Sequence, residues 1–105
     1  HEIPPLHLAK LLIESYRLLQ PGGHAVFLDF YRTGDPWRDF IMDGHSERNN
    51  EPFMKTLFRM DLEEVAHAAG FESVEIQPFD ERTGAVRQHM RPEWHFPWAL
   101  IRLRK

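Results

Sequence analysis

The stretch Tyr16-Arg17-Leu18-Leu19-Gln20-Pro21-Gly22-Gly23-His24-Ala25-Val26-Phe27-Leu28-Asp29-Phe30 carries the chain out of an amphipathic segment, round a corner and into an almost wholly apolar run. Upstream, Leu8, Leu11, Leu12, Ser15, Leu18 and Leu19 recur at the three-and-four spacing that places them on one helix face. Lys10, Glu14 and Arg17 lie on the opposite, solvated face. Pro4-Pro5 suits a first helical turn, so a helix is expected from there to about Gln20. Pro21 cannot continue it, and Gly22 or Gly23 can take the positive φ that closes its end. From His24 to Tyr31 apolar residues follow one another without alternation, as in a strand covered on both faces. The corner is thus one αβ step of a layered α/β sheet.

Beyond the strand, Asp35-Pro36 reads as an N-cap and first residue of a short helix through Trp37, Phe40 and Ile41 to about Gly44. His45 to Asn50 is polar, and Asn50 is placed to cap a further short helix from Glu51 through Phe58. Asp61 and Glu64 hold the two positions of a capping box, so a helix is expected from Leu62, burying Val65, Ala66 and Ala69 and stopping at Gly70. Phe71 to Gln77 alternates apolar and polar residues like a half-covered strand. Asp80 to Pro97 is rich in turn residues, and Trp98 to Leu103 makes a last strand. Strands are therefore expected near 24 to 31, 72 to 79 and 97 to 104.

With 105 residues there is room for one domain, here 1–105. Thirteen basic and sixteen acidic residues leave a net charge of -3 with the signs interspersed, which offers no basic face to nucleic acid or to an anionic membrane. There are no cysteines, so disulfides, thiolate zinc sites and cysteine nucleophiles are excluded. No apolar run approaches the roughly 20 residues that span a bilayer, and a cytoplasmic location is the default expectation. Seven histidines invite a metal reading. None forms an H-x-x-x-H or H-x-H pair, and no metal site is expected.

A polar-Arg-Leu-Leu-x-Pro-Gly-Gly corner before a hydrophobic strand, preceded by His1-Glu2-Ile3-Pro4-Pro5, resembles the C-terminal half of a class I S-adenosylmethionine-dependent methyltransferase. The later helix ending Ala69-Gly70-Phe71 and the two closing strands extend the resemblance over essentially the whole chain. It implies a Rossmann-like, three-layer α/β fold with a mixed sheet whose last strand runs antiparallel between the other two, the segment 80–97 forming a long hairpin. In that family a glycine-rich turn after the first strand holds the cofactor. No G-x-G-x-G pattern occurs here, and Gly22-Gly23 enters a strand and does not leave one. The chain is accordingly expected to be a piece of a longer enzyme. It holds no cofactor-binding residue of its own, binds S-adenosylmethionine only as part of the intact protein, and as an isolated chain transfers no methyl group.

Within this resemblance His1-Glu2 leaves the C-terminal end of a strand, where open α/β sheets place ligands. An imidazole, with a reference pKa near 6.5, is neutral at pH 7 and able to take a proton from a hydroxyl or amine. His1 is therefore the candidate catalytic base, with Glu2 beside it among the substrate-binding candidates. The alternative is that both residues only pin the start of the helix. Asp29, inside the apolar strand, needs a partner; it either points into the cleft with Tyr31 and Arg32 just beyond it, or pairs with an arginine. His45 and Arg48 are candidates from a lid, the alternative being a solvated loop, and Trp37, Phe40, Phe53 and Phe58 would suit an apolar or aromatic substrate. The acceptor is expected to be a small molecule. An unpaired edge at 24 to 31 predicts a homodimer or swapped oligomer. The rival readings are a noncatalytic dimerisation or binding module with a methyltransferase-like half fold, and a dehydrogenase-type Rossmann enzyme.

Overall fold

The computed structural model describes residues 1–89 and 96–105. Helix α1 (Pro5–Leu18) leads into strand β1 (His24–Phe30). Three helices follow, α2 (Pro36–Arg48), α3 (Met54–Arg59) and α4 (Leu62–Ala68), and then strands β2 (Ser73–Pro78) and β3 (Trp98–Arg104). The sheet order is β1-β3-β2, and both pairings are antiparallel. The last strand thus inserts between the other two, as the resemblance implied. The expected mixed sheet is not formed: β1 and β2 run the same way, but β3 separates them, so no parallel pair exists among the described residues.

The corner has a finer structure than its sequence pattern. Leu19 already leaves the helix with an extended backbone (φ -77°, ψ 147°), so α1 stops two residues before Gln20. Pro21 disfavours the helical region at the residue before it, and the chain unwinds ahead of that residue. Gly22 takes φ +81° within a turn closed by the Gly23 N–H on the Gln20 carbonyl at 2.8 Å. The helix end is sealed separately. The Leu19 N–H reaches the Ser15 and Tyr16 carbonyls, and Lys105 Nζ donates to the carbonyls of Tyr16 and Leu19, each at 2.8 Å.

One face of the sheet is covered. Ala25 and Phe27 of β1, Val74 and Ile76 of β2, and Ala99, Ile101 and Leu103 of β3 pack with Leu8 and Leu12 of α1 and with Leu62 and Ala66 of α4. On the other face Val26 is 56% and Leu28 48% exposed. The unbroken apolar run of β1 predicted cover on both sides and three layers. The described residues make two layers, because α1 and α4 share one face and only the far end of the other is closed. There Phe30 packs with Met42, Met54, Phe58, Phe96 and Trp98.

The middle helices differ from expectation at their ends. Helix α2 runs on through the polar His45–Arg48 stretch because Ser46 turns inward, buried, with its hydroxyl donating to the Asp43 carbonyl at 2.8 Å. Asn50, expected to start α3, has φ 53° and follows the end of α2, a left-handed position that asparagine tolerates; α3 begins later, at Met54. Helix α4 opens as predicted, with Asp61 accepting from the Glu64 N–H at 3.1 Å. Gly70 follows it with φ +116°, and a Cβ there would lie 2.9 Å from the Tyr16 ring, so glycine is required by backbone and space together. After β2, Asp80 closes a turn back to an isolated Phe79–Val86 bridge, while the rest of the expected 80–97 hairpin includes residues 90–95, which lie outside the described residues. No helix among the described residues is long and apolar enough to cross a membrane.

Candidate functional site

The C-terminal end of β1 gathers the titratable side chains. Asp29 lies on the helix-covered side of the strand, where its Oδ1 accepts from the Phe30 N–H at 2.7 Å. Its partner is a histidine and not an arginine: Asp29 Oδ1 pairs with His1 Nδ1, and Oδ2 accepts from the His1 backbone nitrogen. The His1 ring is stacked on Phe30, centroids 4.7 Å apart and planes 13° from parallel. Two constraints therefore orient the imidazole, a carboxylate on Nδ1 and an aromatic face beneath the ring. The His1 side chain is 14% exposed and that of Asp29 29%.

Beyond His1 stands Glu51, in the link between α2 and α3. Its Oε1 is 3.8 Å from His1 Nε2 and its Oε2 is 4.0 Å from His45 Nε2. Both separations exceed a hydrogen bond. Glu51 Oε2 is buried and has no hydrogen-bond partner among the described residues, an arrangement that costs about 1–3 kcal/mol of lost solvation. His45 packs edge-on against Phe96, and Phe96 stacks on Phe30. Asp29, His1, Glu51 and His45 thus form a string laid along an aromatic floor. Among the described residues no group of three or more histidines and carboxylates converges on a point that could hold a metal ion.

Two cavities meet at this string. One, of about 150 Å³, opens beneath α1; its walls include Leu8, Phe27, Phe53 and Leu57, with His1 and Asp29 at its polar end. The other is a shallower depression of about 390 Å³ bounded by His1, Glu2, Ile3, Leu28, Asp29 and Trp98. His1 and Asp29 border both. The site is a small apolar hole and an open depression with an oriented imidazole between them.

Of the residues singled out from sequence, the structure brings together His1, Asp29 and His45, with Glu2 on the rim. It places Tyr31, Arg32 and Arg48 elsewhere. Tyr31 is buried in the core; its hydroxyl donates to the Met60 carbonyl at 2.6 Å and accepts from the Leu62 N–H at 3.2 Å. Arg32 is exposed, stacks over the Tyr31 ring at 5.2 Å and borders a different cavity with Thr33 and Gln88. Arg48 is exposed at the last turn of α2. Phe58 is in the core, Phe53 lines the apolar cavity, and Trp37 stacks with Phe40 at the surface. Glu51 was not anticipated, because Asn50-Glu51-Pro52 looks like a helix start and nothing in its composition marks a site.

The strand-to-helix passage from β1 to α2 does not form a cradle for S-adenosylmethionine. Its one glycine, Gly34, has open space around it. The N-terminus of α2 is already taken: Asp35 accepts from the Trp37 N–H at 3.0 Å, and Asp39 accepts from the Thr33 N–H and hydroxyl. Two carboxylates occupy the place where a helix would otherwise hold an anionic ligand.

Fold and site define an α/β chain with an imidazole–carboxylate pair at the C-terminal end of a strand, beside an apolar cavity. Over 74 residues, 70% of the chain, it is 35% identical to the arsenite methyltransferase of Halobacterium salinarum. Those residues make up 18% of that protein, so the chain spans under a fifth of its relative. The similarity is a distant and partial relationship to a methyltransferase. No family model and no solved structure matches.

Proposed function

We propose that the chain belongs to an enzyme that transfers a methyl group from S-adenosylmethionine to a small-molecule acceptor, and that these residues form the acceptor side of the site. The observation that carries this reading is the His1–Asp29 pair facing the apolar cavity. With the Nδ1 proton directed at Asp29, the lone pair of His1 Nε2 is free to accept a proton from the acceptor atom, and the imidazolium that results lies against a carboxylate. The cavity holds the acceptor's apolar part and excludes water from it. S-adenosylmethionine supplies an electrophilic methyl group; in this reading it is held by residues other than those described, in keeping with the poor fit of the β1–α2 passage.

The related enzyme's name specifies arsenite. Trivalent arsenic is a soft centre best held by thiolates, which these 105 residues do not supply; what they do supply, the His1 imidazole, suits an acceptor with a protic nitrogen or oxygen.

The test is turnover of the enzyme that contains this chain, with His1→Ala and Asp29→Asn. Loss of a positioned base costs roughly 100- to 10,000-fold in rate, so His1→Ala should fall within that range and Asp29→Asn should lower turnover in the same direction. Turnover unchanged in His1→Ala removes the base from the mechanism. The 105-residue chain alone should show no S-adenosylmethionine binding by calorimetry, and a saturating isotherm would overturn the division of labour proposed here.

A further inference from the structure

The walls of the cavity beneath α1 say what kind of body can fill it. Its floor is made by side chains of the core, among them Leu12 and Leu103, and its rim by Leu11 and Leu28, which are exposed. The volume is about 150 Å³, and an apolar-lined hole of that size stays dry and accepts benzene. Among the described residues, His1 and Asp29 are the only lining side chains that ionise, and they are engaged with each other. Asp29 Oδ1 holds the His1 ring at Nδ1 and the Phe30 N–H, and Oδ2 holds the His1 backbone nitrogen. A cation entering the cavity would exchange its hydration for a carboxylate whose two oxygens are already in use, and an anion would meet a like charge. That leaves His1 Nε2, which one neutral O–H or N–H satisfies.

We propose that this cavity binds an uncharged single aromatic ring. The proposal deepens the acceptor reading above by naming the acceptor's body, and rests on it for the reaction though not for the binding. Volume sets the limit at one ring, because a second fused ring has no room above the buried floor without displacing packed side chains. The wall favours an aromatic ring over a saturated one: Phe27 and Phe53 offer faces and edges, and Met60 a polarisable thioether. Water competes poorly for this space. A buried water needs about two to four polar partners, and away from His1 and Asp29 the wall is apolar.

Binding can be read with no methyl donor present. The 105-residue chain, labelled at leucine methyl groups and followed by NMR, is titrated with toluene, naphthalene, benzylamine and benzoate. Toluene should give saturable shifts of the Leu8, Leu12 and Leu57 methyls, which line the cavity, and each of the other three should bind at least tenfold more weakly. Leu11→Phe, which places bulk at the rim from an exposed position, should weaken toluene at least threefold. Leu8→Ala, which widens the cavity from a half-buried position, should bring naphthalene within threefold of toluene. A well-dispersed amide spectrum certifies the fold of each variant; if Leu8→Ala does not fold, Leu11→Phe decides alone. Absence of saturable toluene shifts, any of the other three binding as tightly as toluene, or toluene binding indifferent to the folded variants overturns the proposal. If toluene binds as described but the enzyme containing the chain methylates only charged or bicyclic acceptors, the ring site stands and the acceptor reading of the cavity fails. If toluene does not bind while His1→Ala still loses turnover, the acceptor reading stands and the ring site fails.

Discussion

Tyr31 shows how a side chain suited to a site becomes a structural one. It follows Phe30 at the end of β1, where sequence reasoning assigned it to the cleft, yet its hydroxyl bridges the end of α3 and the start of α4 by donating to Met60 and accepting from Leu62. The Leu62 N–H is one of the groups at a helix start that no intrahelical carbonyl can satisfy, and at this position it is buried. Tyr31→Phe keeps the ring and deletes the bridge, leaving a donor and an acceptor without their partner. It should lower unfolding free energy by about 1–3 kcal/mol, measured by urea denaturation. A variant as stable as the parent would show that water replaces the hydroxyl. Glu51 is the converse, a side chain with no local sequence signal that tertiary placement puts beside His1.

At the scale of elements, the turn after β2 has a measurable pH signature. Asp80 Oδ1 accepts from the Arg82 N–H at 3.0 Å and Oδ2 from the Thr83 hydroxyl at 3.0 Å, and the backbone closes the turn through Gly84 N–H to the Asp80 carbonyl at 2.8 Å. The Arg82 N–H, the largest influence, together with the Thr83 hydroxyl and the Arg82 charge holds the Asp80 carboxyl below its ordinary pKa against the opposing effect of desolvation. A carboxylate whose pKa is depressed on folding stabilises the fold above its unfolded value of about 3.9 and loses that contribution as pH falls through the folded value. Asp80→Asn should therefore lower Tm at pH 7, and the gap to the parent should narrow below about pH 4; a gap independent of pH would exclude the ionised carboxylate as its source. This turn, the α1–β1 corner and the α4 start were legible because each depends on local chemistry: a proline, a positive-φ glycine, a capping aspartate. The ends of α2 and α3 were not. Whether His45–Arg48 is helical depends on Ser46 finding a buried place, and no window of sequence contains that information. The pairing of His1 with Asp29 was not anticipated, since 28 positions separate them and an arginine was the partner expected for a strand carboxylate.

At the scale of the molecule, the decisive feature is the outer side of β1. The bonds of Tyr31 N–H to Pro97 and of Lys105 N–H to Gly23 fix which backbone groups face β3: those of Ala25, Phe27 and Asp29. The N–H and C=O of His24, Val26 and Leu28 then point the other way, with no strand beside them among the described residues. Asp29 takes up the next N–H, that of Phe30, and so marks where the free edge ends. Apolar side chains adjoin this edge, Val26 and Leu28 on the open face and Leu11 of α1, which shares a cavity wall with Leu28, and such an edge is a template for another strand. We propose that in the 105-residue chain the occupant is a second copy. Antiparallel pairing about a two-fold axis through Phe27 sets Val26 of one copy opposite Leu28 of the other, so their outward-facing groups bond in matched pairs; His24 falls opposite Phe30, whose N–H Asp29 already holds, and no like charges face each other. Val26→Lys sets two ammonium groups beside the axis, one from each copy, and disfavours that pairing while leaving the covered face of the sheet untouched. Sedimentation at tens of micromolar should give a dimer for the parent and a monomer for the variant. A monomeric parent would mean that the strip formed by α1 and β1 is too small to hold two copies together.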